Sequence, residues 1–272
     1  MKNSAIKKAG AVLVLILAAS SAWASVYQER DAINRSFTLP AKARVDVSTI
    51  SGSLDIKAID GDTAIVEIER TGRSRAELDC NKVVLEQAAG SLAIQFRTVG
   101  GPGCQNIQVV HRVLLSLPRH VDISVHGISG PINIGEIEGA LRISGNSGDI
   151  NLEQLGSGAR ISGNSGNINI AQLGSGARIT GNSGTTTIKL WQLDAEGLEW
   201  SGNSGDLKLY VDEELNVDVK VSGLSGSVSS ELPNVRFTKT GAADYFARIG
   251  SGGPTIIVHG NSGSILLSRY RE

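Results

Sequence analysis

The chain has 272 residues, with 26 Lys plus Arg against 27 Asp plus Glu (net charge −1), and 33 glycines beside only 4% aromatic residues. A near-neutral chain without basic clusters lacks the phosphate-neutralising surface that nucleic-acid binding needs, and so few aromatics argue against a bulky globular core. The two cysteines come without the His-rich spacing of a metal site.

Residues 1–24 read as a secretory signal peptide. Lys2, Lys7 and Lys8 precede the apolar run AVLVLILAA (11–19), and Ala22-Trp23-Ala24 supplies a small-x-small cleavage site. The run is shorter than the roughly 20 residues of a spanning helix, and no second hydrophobic segment follows, so no transmembrane segment is expected after cleavage. Losing the three lysines takes the formal charge from −1 to −4. No cysteine follows the cut to take a lipid. The expected mature chain, residues 25–272, is therefore exported, with the periplasm as its compartment and secretion or the cell surface as alternatives.

Residues 25–120 form an irregular N-terminal region. Alternation of apolar and polar residues predicts strands near 43–50, 53–59, 63–70, 82–88, 91–97 and 106–117. They are expected to begin a stack of coils and to cap it, since an open end is an unpaired edge that invites polymerisation; a separate small β-sandwich is the competing reading. Cys80 and Cys104 lie in the loops 71–80 and 98–106, and pairing is expected in an oxidising compartment, free thiols being the alternative. Closing that loop contributes roughly 3 kcal/mol in the chain-entropy model.

Residues 121–272 carry the main signal. GISG at 127–130 and GNSG at 145–148, 163–166 and 181–184 follow one another at 18-residue steps, with further copies at 202–205, 223–226 (GLSG) and 260–263. A short fixed period marks stacked units that cannot bury their apolar face alone. The expected fold is all-β, a single parallel β-solenoid of right-handed or flattened form, with coils of about 18 to 21 residues. A left-handed hexapeptide helix would need small apolar residues every six positions, which the chain lacks. Three columns of core residues follow from the register: Ile132, Ile150, Ile168 and Thr186; Ile134, Leu152, Ile170 and Ile188; Ile137, Leu155 and Leu173. At the corners Asn146, Asn164, Asn182 and Asn203 are expected to form a turn ladder, each amide bonding the next.

Candidate chemistry is sparse. Arg142, Arg160 and Arg178 share one phase and form a candidate stripe for phosphates or acidic sugars; the competing reading is an exposed face relieved by acids such as Glu153. Asp149 and Asp206 share a turn phase with Asn167, Thr185 and Ser227, so calcium would lack a recurring carboxylate, and no metal or cofactor is expected. His126 and His259 precede similar turns but fall about seven coils apart on a sequential count, too far to share an ion. His111 and His120 read as solvated. Trp191, Trp200 and Tyr210 could offer sugar-stacking rings, although Trp200 stands at the phase of Ile143 and reads better as core.

RVDVSTISGSLDIKAIDGD (44–62), LSLPRHVDISVHGISGPINI (115–134), the serial SG-x-I coils and GSGGPTIIVHGNSGSILL (250–267) together resemble the bacterial adhesin-like β-strand-repeat proteins of unknown function. The resemblance implies an exported β-solenoid and brings no catalytic residues. The function it implies is a non-enzymatic interaction or structural protein of the cell envelope, its partner an unknown envelope protein or polysaccharide. A polysaccharide lyase or hydrolase built on a β-helix is the alternative, requiring carboxylates that converge on one face.

Overall fold

The computed structural model describes residues 29–270 apart from 213 and 261. The expected signal peptide and its cleavage site lie outside the described residues, as does the side chain of Asn182. Among the described residues no helix is long and apolar enough to cross a membrane.

The N-terminal region contains β1 (Glu29–Thr38), β2 (Arg44–Ser48), β3 (Gly52–Ile59), β4 (Thr63–Gly72), helix α1 (Arg75–Cys80), β5 (Asn81–Ala88), β6 (Ser91–Thr98) and β7 (Val109–Pro118). The regular repeats supply β8 (Asp122–His126), β9 (Ile132–Ile137), β10 (Leu141–Ser144), β11 (Ile150–Leu155), β12 (Ala159–Ser162), β13 (Ile168–Leu173), β14 (Ala177–Asn182) and β15 (Thr186–Leu190). The wider repeats supply β16 (Leu198–Gly202), β17 (Leu207–Val211), β18 (Val217–Ser222), β19 (Ser227–Ser230), β20 (Thr238–Lys239), β21 (Tyr245–Ile249), β22 (Thr255–Gly260) and β23 (Ser264–Arg269).

These strands form two mixed sheets, one of 11 strands (β1-β4-β7-β3-β9-β11-β13-β15-β17-β23-β19) and one of 12 (β20-β21-β18-β22-β16-β14-β12-β10-β8-β2-β6-β5). In the regular repeats each rung contributes one strand to each sheet, joined across a G-x-S-G corner, and neighbouring rungs pair in parallel. Inward residues meet their own kind one rung away: Ile150 stands opposite Ile132 and Ile168, and Leu152 opposite Ile134 and Ile170. All members of the three expected columns are buried. Thr186 breaks its apolar column for a reason: its Oγ1 accepts the buried Trp200 indole N–H at 3.0 Å.

The two glycines of each corner act differently. The first is left-handed, as at Gly127 (φ 69°), Gly145 (64°), Gly163 (66°) and Gly181 (72°), where a Cβ is costly. The last lies against the next rung: a Cβ on Gly148 would overlap the Gly130 carbonyl, and one on Gly166 the Gly148 carbonyl. The same corner recurs as Thr49-Ile50-Ser51-Gly52, with Thr49 at φ 63° in place of the first glycine.

The stack departs from sequence order and from purely parallel pairing. The rung β2/β3 lies between β6/β7 and β8/β9, and the last rung, β22/β23, lies between β16/β17 and β18/β19. Antiparallel strands close both sheets at one end, β1 on β4, β4 on β7 and β5 on β6, and the 12-stranded sheet at the other, β18 on β21 and β20 on β21, where the 11-stranded sheet finishes in β19, parallel to β23. His126 and His259 are consequently five strand steps apart instead of seven, about 24 Å at the usual strand spacing.

Two N-terminal elements escape the sequence pattern. β1 packs only Ile33 and Phe37 against the core, is otherwise largely polar, and pairs only through β4. α1 replaces an expected loop; Ser74 caps it by accepting the Glu77 amide at 3.4 Å. Cys80, at the end of α1, is disulfide-bonded to Cys104 in the β6–β7 loop, with Cα atoms 5.5 Å apart.

Candidate functional site

Outward positions on the 12-stranded sheet align across rungs. Arg142 stands opposite Arg160, and Arg160 opposite Arg178, so three guanidiniums emerge about 4.8 Å apart along the stack. The row continues to Ser124 and Asp46 on one side and to Glu199 on the other. Arg178 is paired with Glu199 at 2.5 Å, and Arg44 with Asp46 at 3.1 Å. Among the described residues, Arg142 and Arg160 have no carboxylate partner within ion-pair distance. Glu153, the acid expected to relieve the stripe, projects instead from β11 in the other sheet. Like charges facing one another on neighbouring strands destabilise a sheet, so the stripe works against the fold that carries it.

The arginines rim a groove of about 600 Å³. Its lining includes Ala140, Gly158 and Gly176 from the second corners, Ala159 and Ala177 at the starts of β12 and β14, and Asp122, Glu196 and Glu199. Asp122 has a structural duty: its Oδ1 accepts the Ala140 amide at 2.8 Å.

The corner asparagines split into two groups. Asn146 and Asn164 point inward and are each 2% exposed. The Asn146 Nδ2 donates to Gly148 O at 2.6 Å and to Asn164 Oδ1 at 3.1 Å, and the Asn164 Nδ2 donates to Gly166 O at 2.6 Å. On the side of Ile128 the run stops, leaving the Asn146 Oδ1 buried without a partner. Asn203, expected in the same run, is instead exposed. The register slips by one residue after Thr180, and the Trp200 ring fills the corner so closely that a Cβ on Gly202 would overlap it; no inward space remains for Asn203.

Other polar rows escaped the sequence reading. On the 11-stranded sheet the Asn133 Nδ2 donates to Asp55 Oδ1 (2.7 Å), Asn151 to Asn133 (2.9 Å) and Asn169 to Asn151 (2.9 Å). The turn-phase acids cap amides one rung on: Asp149 Oδ1 accepts from Asn167 N at 2.7 Å, and Asp206 Oδ1 from Ser264 N at 2.7 Å. Within the regular repeats only the 18-residue register reveals these rows, and the contacts to Asp55 and Ser264 come from rungs that the fold inserts out of sequence order.

The histidines and aromatics separate by burial. His111, expected to be solvated, is 2% exposed: its Nε2 lies 2.9 Å from Asn81 Oδ1 and its Nδ1 3.1 Å from Ser51 O. Burial pushes its pKa down to about 4, with the Arg70 charge acting in the same direction against the Ser51 carbonyl. Arg70 is itself buried, paired through Nε and Nη2 with the two Asp31 carboxylate oxygens, while its Nη1 donates to the carbonyls of Leu78 (3.0 Å) and Asn81. His120 is exposed beside Glu138 (2.7 Å). Trp200 is core and Trp191 is 49% exposed, so the three rings do not make one platform. Among the described residues no cluster of His, Cys, Asp and Glu is arranged to hold a metal ion.

The Toastrack DUF4097 family model matches residues 37–268. No curated protein matches significantly. Among solved structures, similarity extends to a candidate adhesin from Bacteroides fragilis (11% identity, 88% of this chain and 97% of that one, TM-score 0.41) and a candidate cell adhesion protein from Clostridium sporogenes (10% identity, 88% and 100%, TM-score 0.36). A candidate lipid-binding protein from Parabacteroides distasonis is also similar (13% identity, 89% and 97%, TM-score 0.34).

Proposed function

Because the chain belongs to the Toastrack DUF4097 family, with most of its length matched, we propose that it is a non-enzymatic exported β-solenoid, an adhesin-like interaction or structural protein of the bacterial cell envelope. In this reading residues 1–24 are removed and 25–272 form one solenoid domain, irregular to about 120 and regular beyond. The observation that carries the proposal is the pair of sheets whose outward rows repeat at one-rung intervals: an arginine row on one and an amide row on the other. Such rows present a rigid periodic surface, suited to binding a repetitive partner. The polysaccharide-enzyme alternative needs a free acid and base facing one substrate, whereas Asp149 and Asp206 are engaged as amide caps and Glu199 as the counter-ion of Arg178.

The test is cross-linking of the full chain in its native envelope, with fractionation and identification of the captured component. Recovery of the mature form in the envelope or periplasm, joined to one reproducible component, is the expected result. Cytoplasmic retention, or turnover of an envelope polysaccharide abolished by one carboxylate substitution, would overturn it.

A further inference from the structure

We infer that the arginine groove is a binding site for an acidic polysaccharide, a linear polymer of sugars bearing carboxylates, as in a polyuronate. The inference rests on the reading of the protein as an interaction module and adds the site and the chemistry of its ligand.

Three observations converge on the groove. First, Arg142 and Arg160 lie side by side in register without carboxylate partners among the described residues, although the same row carries acids at Asp46 and Glu199. Two unneutralised like charges on adjacent strands are retained against the stability of the sheet, and an external anion relieves them. Second, the row runs along the stack, one arginine per rung, so its ligand is a chain lying across the strands with repeated negative groups. A guanidinium offers a planar fork that matches a carboxylate with two parallel hydrogen bonds. Third, Ala140, Gly158 and Gly176 are among the lining residues, and such small corner residues let a flat ring approach the backbone, while Asp122, Glu196 and Glu199 line the same groove. Those acids select among anions: they accept hydrogen bonds from sugar hydroxyls and repel a polymer as densely charged as polyphosphate or nucleic acid. A sparse carboxylate on a hydroxyl-rich chain satisfies both sets of groups.

The experiment measures binding of the purified mature chain to polygalacturonate, with neutral dextran and inorganic polyphosphate as comparison polymers. The variants are R142Q/R160Q and, as a charge-matched control on the opposite sheet, R112Q/K208Q. Thermal midpoints are taken alongside, and each single variant R142Q and R160Q is measured in case the double variant misfolds. The expected result is salt-sensitive binding to polygalacturonate that weakens at least tenfold in R142Q/R160Q and less than twofold in R112Q/K208Q, with no binding to dextran and weaker binding to polyphosphate. Equal losses in the two double variants, no effect of either single substitution, tighter binding of polyphosphate, or no binding of polygalacturonate would each overturn the inference. A chain that fails here yet cross-links to one envelope component loses this site and keeps the broader function; one that fails both loses both.

Discussion

At the scale of single residues the corner positions make separable demands. Gly145 needs only a positive φ, because the nearest atom to an added Cβ is 3.8 Å away, whereas Gly148 has the Gly130 carbonyl where its Cβ would go. Gly145→Ala should therefore cost about 1 kcal/mol, and Gly148→Ala distinctly more, since the rungs must move apart; chemical denaturation of the two variants compares them directly. Thr49 poses the reverse case, an exposed β-branched residue at φ 63°. Thr49→Gly should raise stability by roughly 0.5–1 kcal/mol, the relieved strain exceeding the added chain entropy, and an unchanged or lower midpoint would refute the strain argument. The asparagines separate by burial. Replacing Asn164 with Leu strips the buried Asn146 amide of its neighbour and should cost about 1–3 kcal/mol. The same change at exposed Asn151 should stay within about 0.5 kcal/mol, although Asn151 also bonds its rung neighbours, because water replaces those bonds.

Among the elements, the N-terminal end combines a disulfide, a short helix and a buried polar cluster around His111. The folded-state pKa of His111 is held down to about 4, first by burial and then by Arg70, against an ordinary value of 6.5. The unfolded chain therefore binds the proton more readily between those two values. Stability should be fully present above pH 6.5 and fall as the pH drops toward 4, by up to roughly 3 kcal/mol on the linkage relation. His111→Gln should flatten that part of the profile, and an unaltered slope would place the pH dependence elsewhere. The disulfide ties the end of α1 to the β6–β7 corner. Replacing both cysteines with Ser should loosen this end first while leaving the coils from 128 to 205 protected in hydrogen exchange, since stability in a stacked repeat passes between neighbours. Uniform loss of protection would show the chain to be one cooperative block.

For the whole molecule, strand order decides what depends on what. The last rung, β22/β23, separates β16/β17 from β18/β19 and pairs with both. Deleting residues 254–272 should therefore strip exchange protection from β18 and β19 and weaken β16 and β17, while rungs from β8 to β15 keep theirs. A chain stacked in sequence order would lose only its terminal rung, so retained protection at 217–230 would contradict the observed order. The arginine row is a molecular-scale compromise of the opposite kind. R142Q/R160Q should leave the unliganded chain as stable as the wild type or slightly more so, because it removes repulsion across the sheet.

The chain's sequence by itself determined the all-β class, the 18-residue register, the inward columns and the alignment of Arg142, Arg160 and Arg178. Each follows from a local alternation of period two repeated at a constant interval, so that identical phases must stack. Only the tertiary structure decided the order of the rungs at the two ends, the burial of His111 and Arg70, the ejection of Asn203 from the corner column and the separation of Glu153 from the arginines. Those outcomes depend on which strand edge meets which, and on how the large Trp200 ring fills one corner. A strand edge offers the same hydrogen-bonding groups to any parallel neighbour, so local pattern leaves the choice open until the apolar faces of distant segments pack together.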